Sequence, residues 1–141
     1  MLKTKCEENR TVVVLVTDQI NCERIILAGH NFAMKNNGEL LVLNVNRPDR
    51  KQNPDAIEYL YKVSKDNNAT MLVHYSDKPE TCISEYIEEN SPMAVITGIP
   101  SSRNSILNKL WLRFGNVDFY TADSSGILSE VLLADKMSGQ L

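Results

Sequence analysis

Five short apolar runs punctuate the chain, and between them apolar positions recur at helical spacing. Thr11–Thr17 (Thr-Val-Val-Val-Leu-Val-Thr) is β-branched and too short for an ordinary helix, which predicts a strand buried on both faces. Glu39–Asn46, Ala69–Tyr75, Met93–Gly98 and Val117–Thr121 predict four more strands. Ile25, Ile26, Gly29, Phe32 and Ala33 place a stripe on a first helix, with Asn21 as its expected cap and an end at Asn36. Gly38 is the expected left-handed residue that closes it. Asn53-Pro54 opens a second helix, which runs to about Asp66 with Ile57, Leu60, Tyr61 and Val63 inward. Asp77 and Glu80 have the spacing of a capping box ahead of Cys82, Ile83, Tyr86 and Ile87, and Asn90-Ser91-Pro92 stops that third helix. Ile106, Leu107, Leu110, Trp111 and Phe114 mark a fourth, over about Ser105–Phe114. Ile127, Leu128, Val131 and Leu132 share one face of a last helix over Gly126–Met137, with a strand as the alternative.

Strands alternating with helices through short connections imply right-handed crossovers and a parallel sheet covered on both faces. The expected architecture is α/β and Rossmann-like, with five parallel strands in the order 3-2-1-4-5. The domain spans residues 11–122, between a loose arm at 1–10 and a helical tail at 123–141. The direction of winding reverses between the first and fourth strands. That reversal sets Thr17-Asp18 beside Thr97-Gly98 at the carboxyl edge. A strand that delivers a Gly–polar loop (Gly98 to Asn104) to a helix N-terminus is a usual seat for an anionic ligand.

Composition narrows the function classes. The 141 residues are 43% apolar, enough for one full core. A net charge of −3 without a basic block excludes general nucleic-acid binding. Cys6, Cys22 and Cys82 are scattered and form no CxxC, as in a reduced, cytoplasmic protein. No apolar run approaches the ~20 residues of a membrane span, and Met1–Arg10 lacks the apolar segment of a signal peptide. His30 and His74 stand apart without further ligands, so no metal is expected. No nucleophile–base order or spaced acid pair stands out, and no catalytic residue is assigned.

The candidate site residues each have two readings. Asp18 bonds either a ribose or adenine, or nearby backbone after its strand. Gly98 either clears space for a ligand or makes the turn. Ser101, Ser102 and Arg103 form either an anion site at the start of the fourth helix or a solvated loop with a cap. Cys22 is a capping-region residue or, with a lowered pKa, a redox sensor. Lys109 and Arg113 read as a solvated face, and Trp111 as core or interface.

The segments Val-Val-Leu-Val-Thr-Asp-Gln-Ile-Asn-Cys-Glu-Arg, Gly-Glu-Leu-Leu-Val-Leu-Asn-Val-Asn-Arg-Pro and Met-Ala-Val-Ile-Thr-Gly resemble, in order and spacing, the universal stress protein family over about Thr11–Ala122. The resemblance implies the adenine nucleotide α-hydrolase-like (HUP) fold and a homodimer paired through the last strand. It matches Asp18 to the family's adenosine contact and Val45 to the strand residue whose backbone meets adenine. Of the family's Gly-x2-Gly-x9-Gly-Ser/Thr phosphate loop, Gly98 matches the first position. Ser101 stands at the second, and Trp111-Leu112 at the third. Glycine is needed there because the backbone must approach phosphate closely. The expected function is therefore a non-enzymatic stress-response binding and dimerisation module with a vestigial crevice. The alternative is a regulatory protein that binds AMP, ATP or a cyclic dinucleotide, and a slow ATPase ranks last.

Overall fold

The apolar run at Thr11 is the centre of the molecule. A computed structural model describes residues 10–100 and 106–132. Its strands are β1 (Thr11–Leu15), β2 (Glu39–Asn46), β3 (Thr70–Tyr75), β4 (Ala94–Gly98), β5 (Asp118–Ala122) and β6 (Leu128–Glu130). They form one sheet in the order β3-β2-β1-β4-β5-β6. The helices are α1 (Glu23–Lys35), entered through a 3-10 turn at Ile20–Cys22, then α2 (Pro54–Asp66), α3 (Pro79–Asn90) and α4 (Ile106–Arg113).

Val12, Val13 and Val14 have no solvent exposure. Successive strand residues point to opposite faces, so β1 feeds two cores. Val12, Val14 and Val16 pack with Ile25 and Ile26 of α1 and Leu60 of α2. Val13 and Leu15 pack with Ile83 and Ile87 of α3 and with Leu110 and Trp111 of α4. Trp111 is thus a core residue. Lys109 and Arg113 face outward and pair with Glu80 and Glu88 of α3, at 3.6 and 3.3 Å.

The structure corrects several expectations. The sheet is mixed and six-stranded: β1 to β5 are parallel in the expected order, and β6 runs antiparallel to β5. The segment expected to begin a helix at Gly126 is a hairpin arm instead, and residues 133–137 of that expectation lie outside the described residues. Asp123 Oδ1 accepts from the amides of Ser125 (2.8 Å) and Ile127 (3.0 Å), and Gly126 takes φ +82°. This turn chemistry starts an antiparallel return before a helix can nucleate. β6 then covers the edge that β5 would have exposed.

At the helix ends, Asn21 sits inside the 3-10 turn, and α1 has no side-chain cap. The left-handed residue after α1 is Asn37 (φ 54°), not Gly38. α3 starts from Lys78, so Asp77 is not its cap; the Ser76 hydroxyl oxygen accepts from the Lys78 amide instead. Asn53 caps α2 as expected, accepting from the amides of Asp55 and Ala56.

Gly29 lets α1 lie directly on the sheet. A Cβ there would stand 2.4 Å from Val14 Cγ2 and 3.0 Å from Leu40 Cδ1, both buried. Overpacking of this kind costs about 1–3 kcal/mol, against a helix-propensity gain of up to about 1 kcal/mol for Gly→Ala. Gly29→Ala is therefore expected to lower the stability measured by urea unfolding by about 1 kcal/mol. A variant more stable than the wild type would contradict this contact.

Candidate functional site

The neighbours of β1 separate from it at the carboxyl edge. Its register with β2 ends at Leu15↔Leu43, and that with β4 ends at Val14↔Ile96, while β4 stays paired with β5 as far as Gly98↔Ala122. The Asn44 side-chain amide donates to the Val16 carbonyl (3.0 Å) where the ladder stops. The parting strands open a cleft of about 560 Å³. It lies where the sheet reverses its winding, the place where open α/β sheets bind ligands.

One wall of the cleft is apolar, built by Leu15, Leu43 and Val45 with Ile83 of α3 and Leu107 of α4. The other edge is polar and carries Asp18, Arg24 and Arg50. Asp18 Oδ2 accepts from the Asn53 amide at 2.7 Å, and Oδ1 from Arg50 Nη2 at 3.1 Å. Arg50 also donates to Asn46 Oδ1 (3.0 Å). The carboxylate is 9% exposed, and it straps the β2–α2 connection to the end of β1. Burial pushes the Asp18 carboxyl up, but the Asn53 amide and then Arg50 outweigh it, so it titrates below the usual carboxylate range.

The sequence candidates fall as follows. Asp18, Val45, Thr97 and Gly98 all line the cleft. Thr97 is 2% exposed, and its hydroxyl donates to the Gly98 carbonyl (2.7 Å). At Gly98 a Cβ would meet Ile25 Cδ1 at 3.4 Å and Arg24 Nη2 at 3.5 Å, ordinary contacts. Ser101, Ser102 and Arg103 lie outside the described residues. Cys22 is buried, with Sγ 3.4 Å from Thr17 Oγ1. His30 Nδ1 pairs with the Asn67 carbonyl at 3.1 Å, beside a separate hollow of about 450 Å³ toward the start of β2. Among the described residues no group of three His, Cys, Asp or Glu side chains is placed to hold a metal, and no helix is long and apolar enough to cross a membrane.

Sequence reasoning missed Arg24 and Arg50. Neither belongs to a recognisable motif, and the role of each depends on a partner far along the chain, Asp123 for Arg24 and Asp18 for Arg50.

No protein-family model and no curated protein matches the chain. Solved structures do. A universal stress protein from Archaeoglobus fulgidus superposes with a TM-score of 0.60 at 18% identity, covering 74% of this chain and 87% of that one. A universal stress protein in complex with cAMP gives 0.63 at 16%, covering 83% and 98%. The zinc-inhibited form of the teicoplanin deacetylase Orf2 gives 0.55 at 9%, covering 80% and 67%. The fold is thus the one universal stress proteins have. An enzyme shares its core, so the fold alone does not decide function.

Because the folded Asp18 pKa is lowered, its contribution to stability is complete above the unfolded carboxyl value of about 3.9 and is lost as pH falls through the folded value. Asp18→Asn is expected to cost about 1–3 kcal/mol at neutral pH. The gap from the wild type should close in acid unfolding curves below about pH 4. A gap that stays constant in acid would contradict the strap.

Proposed function

We propose that this domain is a universal-stress-protein-type regulator that binds an adenine nucleotide in the β1/β4 cleft and performs no chemistry on it. The observation that carries this reading is the cleft itself: about 560 Å³ at the reversal of the sheet, apolar on one wall and cationic on the other edge. A purine suits Leu43, Val45 and Ile83. The sugar and phosphate side suits Asp18, Arg50, Thr97 and Gly98, with Ser101, Ser102 and Arg103 following in sequence. A solved neighbour bound to cAMP and the Archaeoglobus fulgidus protein bound to dAMP support the ligand class. Within this proposal the protein is cytoplasmic and acts as a homodimer whose partner choice follows ligand occupancy.

A second reading, an interaction module of the stress response that holds no ligand, is favoured by one observation. The Asp18 carboxylate is already satisfied from within the chain by Asn53 and Arg50.

Mass spectrometry of small molecules released from the purified protein, with thermal melts in AMP, cAMP and ATP, separates the two. A ligand at a hundred times its Kd stabilises the native state by about 2.7 kcal/mol, a shift of several degrees. Gly98→Ala should keep the fold, because the backbone there is extended and a Cβ meets only ordinary contacts, yet it should reduce the shift by crowding the cleft beside Arg24. No released nucleotide and no shift in the wild type would favour the module.

A further inference from the structure

We infer that Arg24 is the phosphate anchor of this cleft, held in place by the β5–β6 turn. The inference rests on the nucleotide reading above and adds a residue that neither the sequence pattern nor the likeness to known folds assigns. Arg24 stands in the first turn of α1. Its Nε donates to the Asp123 carbonyl (2.8 Å), 99 residues away, and its Nη1 donates to the Asn21 carbonyl (2.8 Å). Two fixed acceptors on separate segments orient the planar fork. Among the described residues nothing bonds Nη2, which lies beside the end of β4. Gly98, lacking a side chain, leaves that nitrogen uncovered on the cleft side.

The turn that holds Arg24 is itself built. Asp123 Oδ1 accepts from the amides of Ser125 and Ile127, and among the described residues the carboxylate makes no ion pair with Arg24. Gly126 lies beside Arg24: a Cβ there would make ordinary contacts, 3.6 Å from its carbonyl oxygen and 4.0 Å from its Cβ. Glu23, the neighbouring acid, accepts from the Tyr59 hydroxyl at 2.7 Å.

Asp18 and Arg50 pair with each other, whereas the Arg24 guanidinium has no ion-pair partner among the described residues. Its Nη2 can donate to a phosphate oxygen of a nucleotide in the cleft, a charge-assisted contact.

The test is calorimetric titration of the full chain with adenosine, AMP, cAMP and ATP at fixed ionic strength, for the wild type, Arg24→Gln and Arg24→Lys, with folding checked by circular dichroism. AMP or cAMP should bind the wild type about 10- to 100-fold more tightly than adenosine, the range of a charge-assisted contact. Arg24→Gln should reduce AMP affinity to that of adenosine and leave adenosine affinity unchanged, and Arg24→Lys should fall between. Equal AMP binding by wild type and Arg24→Gln would overturn the anchor while the nucleotide reading stands. A wild type that binds none of the four would overturn the nucleotide reading and the anchor with it.

Discussion

The structure depends on a strand that has no solvent face. Val12, Val13 and Val14 are fully buried, and they alternate between two cores. A strand buried on both sides requires helices on both sides, and parallel neighbours require crossovers of one hand. Those constraints place β2 and β4 on either side of β1 and turn the winding around between β1 and β4. They also decide where the sheet opens. Past Val14 the ladder no longer joins β1 to β4, while Val16 and Asn44 still tie β1 to β2, and the cleft forms between the parted ends.

What occupies that opening is partly the chain itself. A carboxylate as enclosed as Asp18 needs donors, and the Asn53 amide and Arg50 supply them. Asn53 is also the cap of α2, accepting from Asp55 and Ala56, so one residue joins the strap to the start of a helix. The strap ties the β2–α2 connection to the end of β1 and pairs Asp18 with Arg50. Arg24, the other cation of the described lining, is oriented by a hairpin turn far along the sequence. Any ligand of this cleft meets a rim assembled from the segment after β1, the start of α1, the β2–α2 connection and the end of β4.

The β-branched runs were legible in the sequence because burial on both faces leaves little room for polar residues. Helix stripes such as Ile25-Ile26-Gly29 and Ile57-Leu60-Val63 were legible for a related reason, since one face must be apolar. The tail was misread because Ile127, Leu128, Val131 and Leu132 fit a helix face as well as the two sides of a short strand. Val131 in fact packs into one core and Leu128 against the other. The deciding signal was Asp123-Ser-Ser-Gly126, a turn sequence just ahead of the stripe. At the site, Asp18 and Gly98 could be placed by topology. Arg24 and Arg50 could not, because their partners lie 99 and 32 residues away and no local pattern encodes such pairs.

The most direct test of the account is to record amide chemical shifts of the labelled protein during a titration with AMP. Saturable changes should cluster at the parted strand ends, Leu15 to Arg24, Leu43 to Val45 and Thr97 to Gly98, and at the Asp123–Gly126 turn that holds Arg24. Shifts centred instead on the opposite hollow, around His30, Asn67 and Asn68, or no shifts at millimolar AMP, would contradict it.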